Sequence, residues 1–459
     1  MTRQGGDVSL NADPSPAGLT NVPPPAARRI ALRITPVAER ALRQGHPWLF
    51  DRAIHQQSHD GRPGDLAVIF DRKGRFLAVG LYDPRSSLRV RILARGEPAA
   101  IDQAWFTVKL AAAAQVRAPL LQRVAPLTKA SGLARSGEVA TASRAVGEGG
   151  RGDQPLTTAY RLVHGENDGL PGLVIDRYEE TAVLKVYTAA WIPHLRAVLA
   201  ALATVSPAER VVQRLGRGIQ RQPEDLFGLS DGQALLGPPL DGPVLFWENG
   251  LRFEADPVRG QKTGFFLDQR DNRARVERLA ADKSVLNLFA YTGGFSLYAA
   301  RGGARSVVSV DTSAPALEAA MRNWERNWGV PGVATASHEV VVEDAFQWLA
   351  RMGKAGRRFD MVIVDPPAFA QEQAQVEQAL LAYERLTRLS LAVLQPGGTL
   401  VQASCSSRVD ADTFFATVHR AAERAGRPLR ELERTGHALD HPIAFKEGAY
   451  LKCLFAVAR

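Results

Sequence analysis

Residues 284–311 read SVLNLFAYTGGFSLYAARGGARSVVSVD. The run SVLNLFAY predicts a buried strand, Gly293 and Gly294 punctuate it, and GGFSLYAARGG predicts a helix. SVVSVD then predicts a second strand. The same rhythm continues to the end of the chain. SAPALEAAMRNWERNWG reads as a second helix, and HEVVVED and FDMVIVD as further strands. QVEQALLAYERLTRLSLAVL is a long helix stopped by QPGG, TLVQAS a fifth strand and AYLKCLFAVA a closing one. Strands alternating with helices predict an α/β, doubly wound, Rossmann-like sheet over residues 249–459.

Upstream the texture differs. Residues 1–28 are rich in Pro, Gly and Ser and predict a disordered tail. DLAVIFD, GRFLAVGLYD and SSLRVRIL predict a small β-rich domain over 29–97, with DRKG as a hairpin connection. Residues 98–248 predict an α+β domain, opened by the amphipathic helix IDQAWFTVKLAAAAQVRAPLLQ and interrupted by a Gly/Ala/Ser/Arg-rich flexible insertion at 128–155.

The chain has 459 residues and two cysteines, too few for a disulfide framework or a four-cysteine metal site, so no metal is expected. With no apolar leader at the N-terminus and no bilayer-length apolar run, a cytoplasmic protein without membrane contact is the expectation. Net charge is +9, and residues 29–100 carry 13 Lys/Arg against 7 Asp/Glu, a local excess of +6. Such a basic domain suits a phosphate-rich partner or a solvated Arg-rich surface.

In doubly wound sheets ligands bind beyond the carboxyl ends of the strands. Strand one ends at the Gly293–Gly294 turn. Strand two ends in Asp311, placed to accept hydrogen bonds from ribose hydroxyls, and strand three in Asp344, placed to reach an adenine amino group. The turn lacks the G-x-G-x-x-G of a dinucleotide site, which favours S-adenosylmethionine over NAD. Strand four ends in DPPAF, where Pro366 and Pro367 stiffen the backbone so that Asp365 holds the edge of a flat base and Phe369 its face.

Strand five ends in SCSS, which contains Cys405. A thiolate adding to carbon 6 of a pyrimidine makes carbon 5 able to take a methyl group. A site just before a helix N-terminus would lower the thiol pKa and favour that thiolate. Cys453, in an alternating strand, reads as core. A uracil-5 methyltransferase, an amino-group methyltransferase and an RNA-binding protein with a vestigial catalytic fold stay open as alternatives. His441 of DHP is titratable and is one candidate acceptor for the carbon-5 proton, with a structural role equally open.

GQKTGFFLDQRDNR (260–273), VLNLFAYTGGFSLYA, VDPPAF, SCSS and DHPIAFKEGAYLKCLF together resemble the bacterial large-subunit ribosomal RNA cytosine-5 methyltransferases that carry an N-terminal PUA domain. GHPWLFDRAI and GLYDPRSSLRVRIL resemble that PUA domain, and YRLVHGENDGLPGLVIDRY its linking domain. The resemblance implies a class I S-adenosylmethionine-dependent fold and large-subunit ribosomal RNA as partner. It places cofactor contacts on Asp268, Gln269 and Arg270, on Asn287, Phe289, Tyr291, Thr292 and Gly293, on Asp311 and Asp344, and beside the catalytic Asp365. Cys405 would be the nucleophile. Ala368 departs from the family pattern, which has a basic residue after the prolines. The oligomeric state, a homodimer included, is left open.

Overall fold

The computed structural model describes residues 18–121 and 156–459. The N-terminal unit is a six-stranded sheet spanning Ile30–Arg95. Its alternating residues Ile30, Leu32, Ile69, Ala78 and Val90 are fully buried in a core of their own. The DRKG turn joins the antiparallel strands Leu66–Phe70 and Phe76–Tyr82. Asp71 organises it, its carboxylate accepting the backbone N–H groups of Lys73 and Arg75, both at 2.9 Å. Gly74 takes the positive φ of +77° that the reversal needs.

The central unit packs the helix Gln103–Leu121 and the helix Leu195–Val205 on a five-stranded sheet whose first strand is Ala159–His164 and last is Ala234–Leu236. Leu19 and Val22 are buried in that unit's core, and Ala26 N–H donates to Asp65 at 2.9 Å. Residues 18–28 therefore depart from the expected disordered tail: two apolar side chains in a polar stretch are enough to fasten it. Residues 1–17 and the whole of the expected insertion at 128–155 lie outside the described residues.

The expected domain boundary at 248/249 falls inside a hairpin. Val244–Glu248 pairs antiparallel with Leu251–Ala255, and Asn249 (φ +48°) and Gly250 (φ +78°) form its two-residue turn. Asn-Gly suits that left-handed pair because neither residue pays the full steric penalty there. Phe246 and Phe253 of the hairpin are buried in the same core as Val285 and Tyr298.

The C-terminal sheet has seven strands: β1 (Ser284–Leu288), β2 (Ser306–Asp311), β3 (Ser337–Val342), β4 (Phe359–Val364), β5 (Leu394–Ser404), β6 (Leu429–Thr435) and β7 (Lys452–Ala458). Their order is β3-β2-β1-β4-β5-β7-β6, with β1 to β5 parallel and β7 antiparallel between β5 and β6. Helices α1 (Gly294–Arg301), α2 (Ala314–Arg326), α3 (Ala345–Lys354), α4 (Val376–Val393) and α5 (Ala411–Arg424) provide the crossovers. Strand β6, sequence LRELERT, was not legible as a strand. It is an exposed edge with charges along most of its length, so it shows no apolar alternation. Among the described residues no helix is long and apolar enough to cross a membrane.

Candidate active site

The carboxyl ends of β1, β2, β4 and β5 open onto one cleft with about 930 Å³ of empty space. Its walls include Asp268, Gln269, Phe289, Tyr291, Thr292, Asp311, Asp365, Pro366, Pro367 and Cys405. The β1–α1 turn is unusual. Phe289 and Tyr291 hold positive φ angles of +57° and +48°, a conformation that costs a side-chain-bearing residue free energy and persists where the surroundings dictate it. Asp311 supplies part of that constraint by accepting the Tyr291 N–H and the Ser313 N–H, both at 2.9 Å. Gly293, at φ +76°, could carry no side chain, since a Cβ would sit 2.8 Å from that of Ala320 on α2. It shapes the turn, whereas Gly294 lines the cleft. Asn287 lies beneath, its amide donating to Ser296 at 2.9 Å.

Asp268 and Gln269 enter from the 3₁₀ turn Leu267–Gln269. Asp268 Oδ2 accepts from Lys262 Nζ and from the Tyr450 hydroxyl, both at 2.8 Å. Burial pushes the Asp268 carboxyl up, but the Lys262 ammonium and these hydrogen bonds hold it well below the usual carboxylate range. Asp268 Oδ1 and Thr292 Oγ1 are buried without a hydrogen-bond partner. A buried acceptor left unpaired is costly, so the two atoms suit a ligand that supplies polar groups to the cleft.

Besides Asn287 and Gly293, three expected contacts are absent from the cleft wall. Arg270 does not line the cleft: its guanidinium turns away to Ala159 O and Asp440 Oδ2, each at 2.9 Å, because two buried carboxylates, Asp440 and Glu248, lie behind it. Asp344 caps α3 by accepting the Gln347 N–H at 3.0 Å and is absent from the cleft wall. Phe369 is partly buried, packing 5.2 Å from Tyr383, ring centre to ring centre, against the core under α4, and is absent from the cleft wall. Its apolar ring gains more from that burial than from the rim.

Cys405 follows β5 directly, with Sγ 3.8 Å from the Pro366 carbonyl. The expected lowering of its pKa is overturned. Burial pushes the thiol up to about 11, with Asp365 and Asp268 adding to the rise against Lys262 and Lys452. The helix whose N-terminus was expected to help begins only at Ala411, and its end is already capped by the Asp410 carboxylate on Thr413 N–H at 2.9 Å. Asp365 is pushed up to about 7 by burial and by the neighbouring Asp268. His441 is buried against Asp440 at 2.9 Å and lines neither this cleft nor the next. Cys453 is fully buried in β7.

A second, open cavity meets the first at Cys405 and Lys262. Trp48 of the N-terminal sheet, Tyr187 of the central unit and Phe445 and Tyr450 of the C-terminal unit line it, together with Arg161, Lys185 and Ala368. Aromatic faces with cationic side chains suit a nucleobase and its phosphate. Lys262, Tyr450 and Trp48 were missed as site residues. Each stands in a quoted motif, but only the fold brings the three together.

Residues 163–452 match the family model of S-adenosylmethionine-dependent methyltransferases. The chain belongs to that family. Residues 32–95 of the methyltransferase also match a PUA-like domain. It is 46% identical over 435 residues to a ribosomal RNA large subunit methyltransferase of Deinococcus radiodurans, covering 95% of this chain and 99% of that one. With ribosomal RNA large subunit methyltransferase I of Pseudoalteromonas translucida it shares 37% identity, over 91% and 96% of the two chains. The crystal structure of SMU.776, described as a methyltransferase complexed with SAH, superposes with a TM-score of 0.74 at 21% identity, covering 93% of the methyltransferase and 99% of that chain. The last likeness establishes the fold, with the class I strand order as its signature.

Proposed function

We propose that this methyltransferase modifies carbon 5 of a cytosine in large-subunit ribosomal RNA, with Cys405 as covalent nucleophile. The observation that carries the reading is that Cys405 belongs to the walls of both cavities. A thiol at that junction meets a base on one side and the methyl donor on the other. The names of relatives matched over 95% and 91% of the chain support ribosomal RNA as the substrate class. The basic domain at residues 29–97 would dock RNA through phosphate contacts.

S-adenosylmethionine, when bound, supplies an electrophilic methyl group on a cationic sulfur. Asp268, Tyr291, Thr292 and Asp311 are the residues that would hold it, with Asp268 Oδ1 and Thr292 Oγ1 as unused polar atoms. Cys405 Sγ forms a bond to carbon 6, and the electron pair of the C5=C6 bond moves onto the C5 side of the ring. That carbon then takes the methyl group. Loss of the carbon-5 proton to solvent water in the open cleft re-forms the double bond as the C6–S bond breaks, and the sulfur leaves as thiolate. The Asp365 carboxyl, titrating near 7, carries a proton that cytosine N3 can accept. Uracil has a proton at N3 and offers no acceptor there, which favours cytosine. Chemistry at an exocyclic amino group would need no thiol.

The test is incubation of the protein and S-adenosylmethionine with ribosomal RNA containing 5-fluorocytidine. Fluorine cannot leave as a proton, so a denaturant-stable protein–RNA adduct is expected, absent in Cys405→Ser and with 5-fluorouridine RNA. Methyl transfer to ordinary RNA without any adduct would move the reaction to an amino group.

A further inference from the structure

Lys262 stands where the two cavities meet, and three features of its surroundings are unusual. Its backbone holds φ +53°, in the left-handed region that a long side chain seldom adopts. The neighbouring residue enforces this. Thr263, 1% exposed, is tied by its hydroxyl to Asp176 at 2.5 Å. Gly260 approaches Asp256 O too closely for any Cβ, Gly264 holds φ +122°, which side chains rarely adopt, and Lys262 O accepts from Lys185 Nζ at 3.2 Å. The side chain then runs over the Phe266 ring, with Nζ 4.5 Å from its centre, and ends on Asp268. A strained loop held this firmly delivers an ammonium to one place, the neck lined also by Cys405.

We propose that Lys262 is the counter-ion of the Cys405 thiolate: a fixed positive charge at the neck of the two cavities that offsets part of what opposes the sulfur's negative charge there. The proposal rests on the reading of Cys405 as the attacking group. Cys405 is faced by charged or titratable groups from several elements: Asp365 after β4, Asp268 on the 3₁₀ turn, Lys452 on β7, Tyr450 before it, and Tyr383 on α4. The two carboxyl groups oppose ionisation. Lys452 is a second cation whose charge adds to that of Lys262, but its ammonium is held by the carbonyls of Ser406, Val409 and Tyr450, where it fastens the loop after the cysteine and lines neither cavity. Among the described residues Lys262 alone joins the cysteine at both cavities. Burial lowers the Lys262 pKa, but Asp268 and Cys405 more than restore it, so the ammonium stays charged across the working range.

The test measures the rate at which iodoacetamide alkylates Cys405 between pH 7.5 and 10 (~ by thiolate fraction) in the ligand-free full-length protein. Cys453 is fully buried, and Cys405→Ser provides the blank. Lys262→Met should slow alkylation about tenfold at a given pH, and Lys262→Arg should keep it within about threefold of the wild type. Equal rates in Lys262→Met and wild type would overturn the proposal. So would equal slowing in both variants, because that points to shape instead of charge. Thermal unfolding of each variant verifies the fold. The measurement uses neither RNA nor methyl transfer. A failed fluorocytidine adduct with an intact Met/Arg contrast would therefore reject the cytosine mechanism and leave the ion pairing standing.

Discussion

Replacing Arg270 by Met separates a structural role from the cofactor role that its motif implied. Arg270 is 1% exposed and donates to Ala159 O and Asp440 Oδ2, both at 2.9 Å. Each bond from a charged group contributes about 1.5–3 kcal/mol, and breaking a buried ion pair costs about 3–5 kcal/mol. The partners left behind soften the loss. Glu248 keeps Arg273 at 2.7 Å, and Asp440 keeps the Arg161 N–H at 2.8 Å and His441 at 2.9 Å. Met also recovers some packing, so about 3 kcal/mol is expected. With an m-value of about 3 kcal/mol/M for a large domain, the urea midpoint should fall by about 1 M, read by tryptophan fluorescence. Binding of S-adenosylhomocysteine to the folded protein should stay within about threefold, because no atom of Arg270 lines the cleft. A tenfold loss of that affinity at an unchanged urea midpoint would refute the reasoning.

Two further outcomes are expected. The folded-state pKa of Asp365, about 7, lies above its unfolded value, so the favourable contribution of its protonated form is complete below pH 4 and is lost as pH rises through 7. Asp365→Asn should therefore gain stability relative to wild type between pH 4 and 8, by up to about 4 kcal/mol in urea titrations, and a constant difference would contradict this. Trp48, held by Glu166 at 3.0 Å and by the edge of Phe445, should stack a base in the second cavity. Trp48→Ala should weaken RNA binding about tenfold in filter assays while sparing S-adenosylhomocysteine, with binding in both proteins falling as salt rises. Unchanged RNA affinity would remove the aromatic cavity from the substrate path.

The sequence by itself determined the strand–helix rhythm after residue 284, the placing of a cleft at the carboxyl ends of strands, and the burial of Cys453. These are local properties: apolar runs, glycine turns and prolines act within a few residues of themselves. Tertiary structure decided which side of an element a side chain leaves from. Asp268 and Arg270 are two residues apart, yet one enters the cleft and the other pairs with Asp440, because the chain turns from a 3₁₀ turn into a helix between them. Phe369 packs against the edge of the core and not along the cleft, because α4 offers Tyr383 beside it. The environment of Cys405 was equally out of reach of the sequence. Its charge balance comes from Lys262, Asp268, Asp365 and Lys452, groups brought together from three separate segments of the chain. Electrostatic interaction depends on distance and burial in space, and neither is a property of position along the chain.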